Sequence, residues 1–172
     1  MRMYLNWRDK SLTLFLRAPK VTLSSLNAFE IVNSYKIILN INNDEAIKYA
    51  KLTTCYAYGY QLLGSLLYNK TKAEDLLEKY DANLIQNSYL LTWEKLSNKE
   101  HDFLIAMLSS PEGSISEELN ITNGNFQVYK KRLIDKGLIS SQGRGCLDFA
   151  LPRFKEFVLF GKQLRDTDFD NF

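Results

Sequence analysis

Between Leu133 and Pro152 the chain reads LIDKGLISSQGRGCLDFALP, and few folds accept that order of residues. A helical stretch stops at Gly137, the residue type for which a left-handed conformation costs least. The short run LISS then meets the turn QGRG and returns as CLDFAL. Two short strands around paired glycines make a hairpin. Arg144 stands between Gly143 and Gly145 at its tip.

What precedes the hairpin is helical. Ser97 and Glu100 have capping-box spacing and open a helix through Phe103, Leu104, Met107 and Leu108. Pro111 and Gly113 break it, and Ser114 caps a short helix, ISEELN. ITNG then turns into NFQVYKKRLIDK, which ends at Gly137, and Pro152 starts a last helix with Phe154, Phe157, Val158 and Phe160. The order helix, short helix, turn, helix, hairpin predicts a winged helix-turn-helix with a two-stranded wing over residues 91–165.

The first half of the chain carries different patterns. SLTLFLRAPKVTLSS, residues 11–25, reads as one strand or two short ones broken at Pro19, within a strand segment covering 1–25. Asn27 and Glu30 open a helix with the stripe Ile31, Val32, Tyr35 and Ile38, and Asn43 caps another carrying Ala46, Ile47 and Ala50. YAYGYQLLGSLLYN is apolar nearly all round and predicts a central, buried helix. Thr71 and Glu74 open a helix with Leu76, Leu77, Tyr80 and Leu84 on one face, completing a small helical bundle over 26–90. The expected fold class is therefore mainly α: a bundle, a winged helix-turn-helix, an N-terminal strand segment, and an acidic tail at 166–172.

Net charge is only +2 over 172 residues, so the distribution matters more than the sum. From Asn123 to Arg165 nine Lys and Arg face three acids, whereas from Leu91 to Thr122 two bases face six acids. That split predicts one positive face for an anionic partner. Cys55 and Cys146 are far apart and in no metal-ligand spacing, which suits free thiols in a reducing compartment. The start MRMYLNWRDK has no signal-peptide pattern, and no apolar run approaches a membrane span, so a cytoplasmic chain with no membrane partner is expected. His101 is the sole histidine, Glu117 and Glu118 are neighbours pointing to different helix faces, and no phosphate-loop motif occurs. An enzyme acting alone is not expected, nor is a metal site.

Phe126, Tyr129, Leu133 and Ile134 make the packed stripe of the last helix before the hairpin, which leaves Asn125, Gln127, Lys130 and Lys131 facing away. Asn and Gln pair with adenine edges, and Lys reaches phosphates or guanine. Asn123 at the expected N-cap offers its side chain and the helix amides to a phosphate. Arg144 would enter a minor groove or grip the backbone. These residues point to duplex DNA. The alternative is a protein-interaction or subunit-contact module, since the same fold serves both.

TTCYAYGYQLLGSLLYN, LSNKEHDFLIAML and VYKKRLIDKGLISSQGRGCLDFALPRFKEFV together resemble the C-terminal half of bacterial AAA+ ATPases related to the archaeal and origin-recognition type. There a helical lid follows the nucleotide-binding core and a winged helix follows the lid. LTLFLRAPKVTLSSLN is similar to the last strand of that core. The resemblance implies a fragment lacking the Walker A and Walker B motifs, which neither binds nor hydrolyses ATP unaided. ATP and Mg are expected only in an intact parent. A sensor arginine of the lid has no counterpart between Tyr56 and Gln61, while Arg17 lies where a subunit-contact arginine would sit. A truncated LTLFL edge would also favour self-association through residues 12–20.

Overall fold

The computed structural model describes residues 25–110, 112–141, 143 and 146–169, the last six of these as backbone alone. The expected strand segment, Arg17, the self-association segment 12–20 and Arg144 lie outside the described residues. The rest is mainly helical, with one small two-stranded antiparallel sheet.

The first three helices are α1 (Ala28–Leu39), α2 (Asn43–Leu52) and α3 (Ala57–Tyr68). Ile31 and Tyr35 of α1 close over Ala46 and Ala50 of α2, and Tyr60 of α3 packs against Tyr35 with tilted rings whose centroids are 5.1 Å apart. Asn27 caps α1 through its side chain, whereas α2 is capped by Asn42 instead of Asn43, one residue earlier than the sequence suggests. Ile38, placed in the packed stripe by spacing, is 59% exposed. α3 is not the central buried helix its composition predicts: only Gly59 and Leu63 are buried, and Tyr68 is exposed.

A long helical rod follows. α4 (Ala73–Leu84), a π turn (Ile85–Tyr89) and α5 (Leu90–Trp93) run on without leaving right-handed helical backbone. Residues 90 and 91, the expected border between two units, are consecutive residues of α5. In the widened turn Leu90 N–H bonds the Ile85 carbonyl, and the Asn87 side-chain amide donates to the Asn83 carbonyl at 3.0 Å. Leu76, Tyr80 and Leu84 are buried, while Leu77 is exposed. Thr71 does not cap this helix. Lys70 turns left-handed to close α3, and the Thr71 amide bonds back to Leu66, so Lys72 takes the N-cap position without a side-chain cap.

α6 (Asn98–Ser109), α7 (Glu112–Glu118) and α8 (Asn123–Asp135) come next, then β1 (Ile139–Ser141), β2 (Leu147–Phe149) and α9 (Phe154–Phe169). The Ser97–Glu100 capping box forms in full. Ser114 lies inside α7, not at its cap. α9 starts at Phe154, after a turn at Pro152, and its backbone continues through Asp166 and Asp168. The strands pair Ile139 with Phe149, Ser140 with Asp148 and Ser141 with Leu147. The main core joins all these elements: Phe103 stacks on Phe126 at 5.3 Å, Phe154 meets Tyr89 at 5.1 Å, and Trp93 meets Phe157 at 5.4 Å. Phe160 of the same helix is 54% exposed.

Two polar ties lock the hairpin side to the rod. The Tyr89 hydroxyl donates to the Pro152 carbonyl. Arg153, left-handed at φ 56°, donates to both Asp81 carboxylate oxygens at 2.6–3.1 Å and to Glu156 at 2.8 Å. A bidentate guanidinium–carboxylate fork of this kind fixes orientation as well as distance.

Candidate nucleic-acid interface

α8 is capped by Thr122, whose hydroxyl accepts from the Asn125 amide, so Asn123 is the first helical residue rather than the cap. At its other end the Leu138 amide bonds the Leu133 carbonyl and the Gly137 amide bonds the Ile134 carbonyl. Gly137 at φ 70° is the left-handed stop that the sequence predicts, the two bonds complete a Schellman arrangement, and Leu133 and Leu138 are both buried against the core. The helix therefore hands the chain directly into β1.

Phe126 and Leu133 are the buried face of α8, Tyr129 is half-buried, and Ile134 is exposed. Asn123, Asn125, Gln127, Lys131 and Arg132 are exposed. Lys130 is not. It follows Phe126 by four residues, about 40° round the helix, which turns it toward α7. There its Nζ donates to Glu112 Oε1 at 2.5 Å, and the two side chains are only 17% and 10% exposed. Glu112 Oε2 is buried without a hydrogen-bond partner. Arg132, which spacing alone did not single out, is exposed near the Tyr129 ring, its Cζ 6.0 Å from the centroid.

Part of the positive charge of this region is paired, at Lys130, Lys136 and Arg153. Lys136 Nζ donates to Glu100 Oε1 at 2.6 Å, and Arg153 is held by Asp81 and Glu156. Glu100 and Glu112 come from the acidic stretch just upstream, so the two oppositely charged segments fold against each other. Burial pushes the Glu100 carboxyl up, but hydrogen bonds from Lys136 and Ser97 outweigh it and hold the group below the ordinary 4.5. A carboxylate depressed in the folded state stabilises above its unfolded pKa and loses that contribution as pH falls. Acid unfolding followed by circular dichroism is therefore expected to steepen below pH 4.5. The Glu100→Gln variant is expected to lose that component, and an unchanged acid limb would rule it out.

Residues 86–158 match the family described as a domain of unknown function, DUF8462. No curated protein and no solved structure matches the chain. The matched span begins inside the π turn and takes in α6, α7, α8, the hairpin and the start of α9, under half of the chain.

Other chemistry is sparse. His101 stacks on Trp93 at 4.1 Å, and its Nε2 donates to the Trp93 carbonyl at 2.9 Å, a satisfied structural role. Glu118 accepts from the Ser110 hydroxyl, and Glu117 is exposed. Among the described residues no three His, Cys, Asp or Glu stand together to hold a metal ion, and no helix is long and apolar enough to cross a membrane. A cleft of about 500 Å³ opens between the α2–α3 connection, the π turn and the Lys136–Leu138 bend. It is bridged by the Thr54 hydroxyl donating to the Ala150 carbonyl at 3.2 Å.

Proposed function

We propose that the chain is the non-catalytic, duplex-DNA-binding portion of an AAA+ ATPase, and that α6–α8 and the hairpin act as a winged helix-turn-helix. The carrying observation is α8 itself: one face docks through Phe126 and Leu133, and the other leaves amides and two cations in water. Asn123, Asn125 and Gln127 supply base-edge partners, Lys131 and Arg132 supply phosphate contacts, and Arg144 would add a grip from the hairpin tip. Lys130 joins them only by leaving Glu112. Fluorescence-anisotropy titration of the full chain with duplex DNA at several salt concentrations tests the reading. The logarithm of the affinity is expected to fall linearly with log salt, and Lys131→Ala and Arg144→Ala are each expected to flatten that slope by about one phosphate contact. Glu112→Gln, which frees Lys130, is expected to tighten binding and steepen the slope by a similar amount.

The pairing of Lys130 and Lys136 with Glu112 and Glu100 favours a second reading, a protein-interaction or subunit-contact module. Binding indifferent to salt and to these substitutions would select it.

A further inference from the structure

We propose that Asn123 is a site of spontaneous modification, in which the Gly124 backbone nitrogen displaces its side-chain amide and leaves a carboxylate at the head of α8. The reaction follows from that turn alone, while its consequence for DNA rests on the reading above.

Asn-Gly occurs once in the chain, at Asn123 and Gly124, and both residues are exposed. The pair opens α8, where the first backbone amides of a helix have no carbonyl to bond. The ladder starts at Phe126, whose amide bonds the Thr122 carbonyl, and the Thr122 hydroxyl takes the Asn125 amide. Neither bond uses the Gly124 nitrogen. Because Thr122 is the cap, the Asn123 side chain is also spared the hydrogen bond that a cap residue makes. Within 4 Å a Cβ added at Gly124 would meet only the Thr122 hydroxyl oxygen, at 3.8 Å, so no side chain shields the attacking nitrogen. Other asparagines are worse placed: Asn87 donates to the Asn83 carbonyl inside the rod, and Asn125 precedes the bulky Phe126. Helical backbone does not itself bring the Gly124 nitrogen to Asn123 Cγ, so the first turn has to open. Opening costs little at a helix end. Here it breaks the two bonds that Thr122 accepts, from Asn125 at 3.3 Å and from Phe126 at 2.9 Å.

The Gly124 nitrogen gives up its proton and bonds to Asn123 Cγ. The Cγ–Nδ2 bond breaks, and Nδ2 leaves as ammonia with that proton, closing a cyclic imide. Water then opens the imide, at Cγ to give aspartate or at the main-chain carbonyl to give isoaspartate. Nothing is oxidised or reduced. Either product sets a negative charge in the first turn, which the helix dipole favours and a DNA phosphate opposes. With Lys130 and Lys136 held by carboxylates, that charge acts against few exposed cations on α8, Lys131 and Arg132.

The full chain is incubated in mildly alkaline buffer, folded and in urea, and the peptide containing residues 123 and 124 is followed by mass spectrometry. A gain of about one mass unit marks conversion. The folded chain is expected to convert within about fivefold of the rate in urea, because a helix end opens at little cost. Gly124→Ala, which should fold at least as stably, is expected to stop the gain in the folded chain. A folded rate more than about a hundredfold below that in urea means that α8 protects the pair, and overturns the inference. Conversion that continues in Gly124→Ala overturns the role of that nitrogen. Asn123→Asp then reports the consequence: duplex binding about tenfold weaker, as for one lost hydrogen bond to a charged group, with no fall in melting temperature. Unchanged duplex affinity in Asn123→Asp overturns the consequence and leaves the DNA reading standing, whereas a wild-type chain that binds no duplex overturns that reading, with the mass gain still deciding the reaction.

Discussion

Replacing Phe154 by alanine is expected to lower stability by about 3–5 kcal/mol. Phe154 is fully buried, with ring centroids 5.1 Å from Tyr89, 5.6 Å from Phe157 and 6.1 Å from Phe149. Those partners belong to the π turn, α9 and β2, so the cavity opens where the rod, the hairpin and the last helix meet. Neither the Tyr89 hydroxyl, tied to Pro152, nor Arg153, tied to Asp81, lets the walls collapse inward easily. A melting temperature lowered by about 10 °C or more in circular dichroism is the expected reading. A shift of a degree or two would mean that this aromatic cluster does not hold the halves together.

The second large effect concerns a glycine. Alanine in place of glycine inside a helix ordinarily gains about 1 kcal/mol, but Gly59→Ala in α3 is expected to cost about 1–3 kcal/mol. Its Cβ would lie 2.7 Å from the Tyr80 hydroxyl oxygen and 3.1 Å from Pro152 Cγ. Tyr80 is fully buried and its hydroxyl has no hydrogen-bond partner. Tyr80→Phe is therefore expected to be nearly neutral or stabilising, because it removes an unpaired buried polar group. It also removes the 2.7 Å encounter, so the double variant should recover much of the loss. Urea unfolding of the four proteins measures the coupling. Strict additivity would show that the steric encounter with Tyr80 is not what limits Gly59.

Where one residue type solves one local problem, the sequence was readable. Ser97 with Glu100 makes the capping box, Gly137 makes the left-handed stop, and the residues on either side of QGRG pair as strands. Where two neighbours solve the same problem equally well, the pattern was ambiguous by one residue: Asn42 caps where Asn43 was expected, and Thr122 where Asn123 was expected. Thr71 shows a sharper conflict, since ending α3 takes the amide that starting α4 would have oriented. The candidate interface suffered most from counting charge along the chain. Acids upstream of α8 reach across in space to its lysines, and only the tertiary packing of α6 and α7 brings Glu100 and Glu112 there. Lys130 was nonetheless open to a stricter reading, because four residues from Phe126 is nearly the same side of the helix.

The π turn at Ile85–Tyr89 holds one more residue than an α turn in the same place would. Everything beyond it, including Trp93 with its stacked His101, is therefore set about 100° round from where a straight α-helix begun at Ala73 would carry it. The two halves of the chain are geared to each other by a single added residue. Deleting one residue within this turn would leave the sequences on either side of it intact, yet turn Arg153 away from Asp81 and the Ala150 carbonyl away from the Thr54 hydroxyl. A change of length at this one turn, more than any substitution on either side of it, is the variation this architecture is built least to absorb.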